Sequence, residues 1–471
     1  MKMVRIDAFI AQALKDYQVP GTAVAVVKDG KVVLVKGYGV RDITKPDKVD
    51  ENTIFQLASV TKTFTGAAAG TLVDAGKLDL DKPVFNYLPE FVGYDPYMTR
   101  WMTTRDLLAM RTGWPEFQGD MVDPFGYDRA EIVHRLRYFT PRYSLREVAQ
   151  YSNVGLYLAG EVEGRVAGTS WNQVVEKNLL TPVEMTRTST TTPEKSSDPN
   201  YSAAHALADG TIAVVDHSIL NTTGAASSMT STATDMAKYM QMFLNKGMYK
   251  GTPVLKPETV EEICKRSMVS EIGFAELPPI SEATGFYYGL GIGSYDYAGH
   301  HVIEKGGALA GVRTLITMVP DMNAGIVTLS NMNLTALPEA IRAFYLNELF
   351  GIDTTKDQKE ILALDSEIKK HFAPPSAPKH QQPFTGTLES LVGTYENDYY
   401  GTCEILLNGE TLSVQCGPAK YAATLKHWNA GAFVMQFPGA TQGLAITRFT
   451  IGEDGTADSF THENFGVFAR V

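Results

Sequence analysis

Ser59 and Lys62 lie three residues apart where an apolar, small-residue run begins, in FQLASVTKTFTGAAAGTLVDAGKL (residues 55–78). On a helix, side chains at i and i+3 share a face, so the Ser59 hydroxyl would stand beside the Lys62 ammonium. The amides of a helix N-terminus favour developing negative charge. A lysine desolvated by the run GAAAG would lose proton affinity. It could then accept the proton of Ser59, which turns a hydroxyl into a nucleophile. Taken alone, an S-x-x-K match is usually a helix-start serine and a solvated lysine. Two further elements change that balance. Tyr151-Ser152-Asn153 precedes an apolar helix in AQYSNVGLYLAGEV, and Lys305-Gly306-Gly307 ends a strand in HHVIEKGGALAGV. Tyr151 alone reads as a core tyrosine and Lys305 alone as a strand-end charge. The order S-x-x-K, Y-x-N, K-G-G is specific.

With these motifs in this order, the chain resembles the penicillin-binding-protein and class C β-lactamase superfamily of serine hydrolases, which also holds family VIII carboxylesterases and D-aminopeptidases. VPGTAVAVVKDGKVVLVKGYGVRD, GKLDLDKPVFNYLPEF, TTRDLLAMRTGWPEF and SSMTSTATDMAKYM are also similar to stretches of these proteins. The resemblance covers residues 1 to about 365. It implies an acyl-enzyme reaction with no metal or cofactor. Ser59 would be the nucleophile, Lys62 its activator, and Tyr151 the base that later protonates the leaving group. Asn153 would bind the substrate amide and position Lys62. Lys305, Gly306, Gly307 and Ala308 would form the substrate-binding strand, with the N–H groups of Ser59 and Ala308 as the oxyanion hole; such donors contribute ~3 kcal/mol each. The substrates implied are small amides or peptides, with D-residue preference as one version. Carboxylesterase or acyltransferase action is the alternative. A slowly acylated sensor, or an assembly module without turnover, is the alternative of another class. Nothing in the chain points to the fast deacylation that a true β-lactamase needs.

Two positions depart from the family pattern. Gly306 stands where penicillin-binding proteins carry Thr, and Lys305 stands where many esterase-like relatives carry His or Trp. Lys305 favours a substrate carboxylate, and the missing hydroxyl argues against tight clamping of it. Arg111, in LLAMRTG, occupies a place where relatives often have His, and reads as structural. Among other candidates, His300-His301 lack a carboxylate cluster with ligand spacing, so strand packing is favoured over a metal site. Asp79 and Asp81 read as a turn and cap. Trp114, Phe117, Phe125 and Tyr127, in the aromatic stretch between the first two motifs, are candidates for the pocket wall, with plain packing equally open.

The elements that must position these residues are legible in outline. MKMVRIDAFIAQALKDY reads as an amphipathic helix with Ile6, Phe9, Ile10, Ala13 and Leu14 on one face. Two β-branched runs around Asp29-Gly30 signal a hairpin. A mostly helical middle follows, and strands return near Gly289 before the helix PEAIRAFYLNELFG. The expectation is an α+β domain over residues 1–370: one antiparallel sheet flanked by helices, with a helical region inserted. A Pro-rich linker spans 371–387. Residues 388–471 read as short strands of a small all-β unit, a lipocalin-like barrel or a sandwich, with Asn408-Gly409 as its clearest turn.

Composition bounds the rest. The chain has 471 residues, 44% hydrophobic and 20% charged, and a net charge of -11. That charge argues against nucleic acid or an anionic membrane surface as partner. No run reaches membrane-spanning length. The N-terminus lacks a signal-peptide core, so a cytoplasmic location is the default, with a periplasmic or secreted one if a leader was trimmed. Three cysteines, Cys264, Cys403 and Cys416, show no CxxC spacing. A Cys403–Cys416 bridge is open, with free buried thiols favoured. Homo-oligomerisation is open as well.

Overall fold

In the computed structural model the residues described are 3–193, 198–208, 211–270, 283–371, 378–437 and 445–471. The two runs around Asp29-Gly30 form the expected hairpin: Gly21–Lys28 pairs antiparallel with Lys31–Gly39, Lys28 opposite Lys31. Asp29 and Gly30 both take positive φ, 51° and 72°, the conformation a two-residue hairpin loop requires. This hairpin forms one edge of an eight-stranded sheet. Its order is Lys31–Gly39, Gly21–Lys28, Ala324–Ser330, Val312–Val319, His300–Leu309, Gly293–Tyr297, Thr284–Tyr288, Met268–Val269. Every pairing in it is antiparallel. The first and last parts of the domain therefore meet one strand in from that edge, where Gly21–Lys28 pairs with Ala324–Ser330, and the helical middle is the insertion.

Side-chain alternation divides the sheet between two cores. Val24 and Val26 face Ile6 and Ile10 of the N-terminal helix (Met3–Asp16) and Ile341 of the helix Leu337–Phe350. Phe9 of the first helix stacks on Phe344 of the second at 4.1 Å. Ala23, Ala25 and Val27 face the opposite core, with Val60, Phe64 and Met240. The inserted helices Thr61–Asp74, Asn153–Ala167 and Ala233–Leu244 belong to that second core. Fold class and layer arrangement are those expected from the sequence.

The C-terminal strands close into an eight-stranded barrel, which settles the barrel-or-sandwich alternative. Its interior is filled: Phe460 packs on Phe468 at 4.6 Å and on Tyr395 at 5.2 Å, and Phe433 meets Phe449 at 5.5 Å. The expectation of free thiols is corrected here, because Cys403 and Cys416 are disulfide-bonded. The turn explains why. Asn408 pairs with Thr411, so the loop is Gly409-Glu410 and Cys403 falls directly opposite Cys416, with Cα atoms 4.1 Å apart. A loop of Asn408-Gly409 would have set Cys403 opposite Val414. Cys264 remains a free thiol. Part of the linker, 372–377, and most of the loop after Glu271 lie outside the described residues.

Candidate active site

Ser59 sits in a single 3-10 turn, Ala58–Val60, that runs directly into the helix Thr61–Asp74. The residue before it, Ala58, has φ 49°, a left-handed backbone that a residue with a Cβ rarely adopts. The turn is fixed on both sides. Phe55–Gln56 pairs with Thr230–Ser231, and Leu57 N–H donates to Met229 O. The helix itself is buried from Thr61 to Leu72. Its small residues have a specific use: a Cβ on Gly66 would collide with Leu290 O. The Leu290-Gly291 backbone thus lies against the helix backbone at Lys62 and Gly66.

Ser59, Lys62 and Tyr151 converge. Lys62 Nζ donates to Ser59 Oγ at 2.9 Å, to Asn153 Oδ1 at 2.6 Å and to Ala226 O at 2.8 Å. Tyr151 Oη lies 2.7 Å from Ser59 Oγ. The Tyr151 phenol is overlooked by two ammonium groups, Lys62 Nζ at 4.8 Å and Lys305 Nζ at 5.1 Å from its ring centre. Burial alone would raise the proton affinity of this phenol. The charges of Lys305 and Lys62, with hydrogen bonds to Lys62 and Ser59, outweigh burial and hold the group below the ordinary tyrosine range. Lys62 is held below the ordinary lysine range by burial first and by Lys305 as well, against the opposing pull of Tyr151 and Asp120. A depressed lysine and a depressed tyrosine around one hydroxyl can move a proton from that hydroxyl and return it to a leaving group.

Asn153 takes a definite orientation. Lysine only donates, so the amide oxygen must face Lys62. The amide nitrogen then faces Asp120, donating to its Oδ2 at 2.6 Å. Asn153 therefore joins Lys62 to Asp120, with one of its two N–H groups already committed. Ser152, between the two motif residues, caps the following helix by accepting from Gly155 N–H.

The third motif lies on the strand His300–Leu309, where alternation again assigns faces. Ile303, Lys305 and Gly307 point toward the inserted region; Val302 and Glu304 point toward the helix Leu337–Phe350. Lys305 is fully buried between the rings of Tyr151 and Tyr288. Glu304 anchors the strand from behind, paired with Arg342 at 2.6 Å and accepting from Thr317 at 2.7 Å and Tyr295 at 3.0 Å. A Cβ on Gly307 would stand 2.9 Å from Ser59 N and still closer to Leu57 O. Only glycine lets the strand lie flush against the nucleophile turn. Ala308 follows as an exposed residue.

The aromatic candidates part company. Phe117 stacks on Tyr151 at 4.8 Å, and its N–H donates to Tyr151 O. Trp114 is fully buried against Phe139. Phe125 packs on Tyr400, Phe437 and Phe465 of the barrel, and Tyr127 donates to Tyr400 O at 3.1 Å. Trp114, Phe125 and Tyr127 therefore make core and inter-domain contacts. Arg111 pairs with buried Asp106, which also receives Arg146. Asp79 caps its own turn, accepting from Asp81 N–H. His300 pairs with Asp321 and stacks on Phe350. Among the described residues no cluster of three or more His, Cys, Asp or Glu is placed to hold a metal, and no helix is long and apolar enough to cross a membrane. Sequence reasoning missed Asp120, Gly119 and Ala226 O. None carries a spacing signal, because each reaches the site through tertiary contact.

Comparison with known proteins agrees with this fold. A family model described as Beta-lactamase matches residues 6–349, and one described as a domain of unknown function, DUF3471, matches 377–469. "Protein flp" of Staphylococcus aureus is 28% identical over 345 residues, 72% of this chain and 64% of that protein. This chain thus spans less than two thirds of that relative's length. "Unguisins hydrolase" of Aspergillus violaceofuscus is 24% identical over 432 residues, 85% of this chain and 76% of that protein. The structure of an octameric penicillin-binding protein homologue from Pyrococcus abyssi superposes with TM-score 0.66 at 21% identity, covering 99% of this chain and 100% of the other. The chain belongs to the β-lactamase family, within the serine hydrolase superfamily that includes the penicillin-binding proteins.

Proposed function

We propose that this protein hydrolyses small amides or peptides through an acyl-Ser59 intermediate. The observation that carries the reading is the placement of Ser59 Oγ between Lys62 Nζ and Tyr151 Oη, at 2.9 and 2.7 Å. In the first step Ser59 Oγ bonds to the substrate carbonyl carbon and its proton passes to the Lys62–Tyr151 pair. The N–H groups of Ser59 and Ala308 receive the oxyanion. Tyr151 then gives a proton to the leaving nitrogen as the C–N bond breaks. Water, deprotonated by the same pair, bonds to the acyl carbon; the Ser59 Oγ–C bond then breaks and the pair returns the proton to Ser59 Oγ. An amine leaves only once protonated, so a proton donor beside the nucleophile favours amides over activated esters. The acidity of Tyr151 under two ammonium groups supports that preference. D-residue selectivity is part of the proposal, as is self-association. The Cys403–Cys416 bond supports an oxidising compartment over a reducing cytosol.

The test pairs wild type with Ser59→Ala on p-nitrophenyl esters, L- and D-amino-acid amides, D-Ala-terminated peptides and a chromogenic cephalosporin, with intact-mass detection of adducts. Amide turnover that vanishes in the variant is the expected result. Turnover of esters alone would replace this reading with the carboxylesterase or acyltransferase alternative. A stable Ser59 adduct without turnover would replace it with a sensor.

A further inference from the structure

Lys62 has three hydrogen-bond acceptors, and two of them are held by one short segment, Gly119–Asp123. Asp120 Oδ2 accepts from the Asn153 amide that fixes Lys62. Asp123 Oδ2 accepts from Thr223 N–H and Thr223 Oγ1, both at 2.8 Å. Thr223 immediately precedes the 3-10 turn Gly224–Ala226, whose last carbonyl is the Lys62 acceptor. The segment is in turn gripped by the barrel. Tyr400 Oη accepts from Gly119 N–H at 3.0 Å and Tyr399 Oη donates to Gly119 O at 3.2 Å, so two barrel hydroxyls satisfy both polar groups of one residue. Gly119 has φ 88°, and a Cβ there would stand 2.8 Å from Tyr399 Oη. At the other end Phe125 O accepts from Ala419 N–H of the barrel.

The grip is stiff on the barrel side. Asn397 Oδ1 accepts from the N–H groups of Tyr399 and Tyr400, at 3.0 and 2.8 Å. Arg135 of the catalytic domain donates to Asp398 O and Tyr399 O. Phe139 stacks on Tyr399 at 4.6 Å. Both tyrosines are buried. Asp120 Oδ1 is buried without a hydrogen-bond partner among the described residues, a costly arrangement that a purely structural loop has no reason to keep.

We propose that Asp120 is a positioning residue for the Asn153–Lys62 pair and that the Tyr399–Tyr400 turn of the barrel holds it in place, so that the C-terminal barrel is part of the catalytic apparatus. The inference rests on the acyl-Ser59 reading above. The groups facing the Asp120 carboxyl are Asn153 and Lys62 from the two helices and Tyr399 and Tyr400 from the barrel. Burial pushes this carboxyl up to about 6, against the Asn153 hydrogen bond and the Lys62 charge. Below that pH Asp120 gains a proton, the negative charge near Lys62 is lost, and Ser59 activation weakens.

The experiment measures Ser59 labelling of the full chain by a fluorophosphonate against pH, resolving maximal rate from half-saturating concentration. Tyr399→Phe/Tyr400→Phe removes only two hydroxyls. Its maximal rate should fall about tenfold, with half-saturation changed less than about twofold. Asp120→Ala should fall further. Asp120→Asn, which can still accept from Asn153 but carries no charge, should stay at all pH values near the lower rate that wild type reaches below about pH 6, and so should lose the acid limb. Wild-type rates and pH profiles in Asp120→Ala and in the double Phe variant, whatever their thermal stability, would overturn the inference and leave the acyl-Ser59 reading standing. Failure of wild-type Ser59 to label at all would remove both.

Discussion

Two depressed proton carriers flank Ser59 Oγ, so their individual removal should separate the chemical steps. Tyr151→Phe is expected to lower amide turnover by about 100-fold or more. A p-nitrophenyl ester should suffer less, because its leaving group departs without a proton. Stopped-flow comparison of the two substrates checks this; equal losses would assign proton return to Lys62 alone. Lys305→Met removes one of the two ammonium groups that make the Tyr151 phenol acidic. The phenol should regain proton affinity, so the pH of half-maximal Ser59 acylation should move up. An unchanged profile would mean that Lys62 alone sets it. The three motifs were legible in the sequence because each is a fixed spacing on one local element. Asp120 was not, since its partner Asn153 lies 33 positions away and their contact depends on how a loop folds over a helix.

At the scale of elements, the strand carrying Lys305 works by lying unusually close to the nucleophile turn. Gly307→Ala would push Cβ into Leu57 O and Ser59 N. The expected loss is about 100-fold in kcat/KM, with ~1–3 kcal/mol of stability lost to overpacking. Chemical denaturation together with labelling kinetics measures both, and a variant equal to wild type in both would refute the tight-contact account. The helix Asn153–Ala167 holds a different anomaly. Glu163 is fully buried, and both its oxygens lack partners among the described residues. Burial pushes its carboxyl well above the ordinary range, so it keeps its proton at mildly acidic pH. For a raised carboxyl the stabilising contribution is complete below the unfolded value and drains away as pH rises through the folded one. Glu163→Leu should therefore raise the melting temperature more at pH 8 than at pH 5, an isosteric apolar replacement being worth up to ~1–4 kcal/mol. The reverse order would show that Glu163 has a partner that ionises with it.

Over the whole molecule, the barrel and the catalytic domain share one apolar core that runs through Phe125, Phe139, Tyr399 and Tyr400. Loss of barrel integrity should therefore reach the active site. The Cys403–Cys416 bond joins positions 13 apart in sequence, and a loop of about that size contributes about 3 kcal/mol by restricting the unfolded chain. Cys403→Ser/Cys416→Ser should lower the urea midpoint of the barrel and lower Ser59 labelling in parallel, whereas the non-reduced protein should show one titratable thiol. Three thiols in the unfolded, non-reduced chain would disprove the bond. A stability loss without any effect on labelling would separate the two domains energetically.

By itself the sequence determined the α+β sheet, the all-β tail and the residues of the three motifs. These follow from local rules: apolar period, turn residues such as Asp29-Gly30, and the i to i+3 geometry of a helix start. Tertiary structure decided what local rules do not contain. A shift of one residue in the Gly409-Glu410 turn brought Cys403 and Cys416 together. Packing of the barrel drew Phe125 and Tyr127 into a domain interface. The path from Tyr399 and Tyr400 through Gly119 and Asp120 to Asn153 and Lys62 joins four stretches of chain far apart in sequence. Spacing cannot encode such contacts, because they exist only once the sheet, the helices and the barrel have buried their apolar faces against one another.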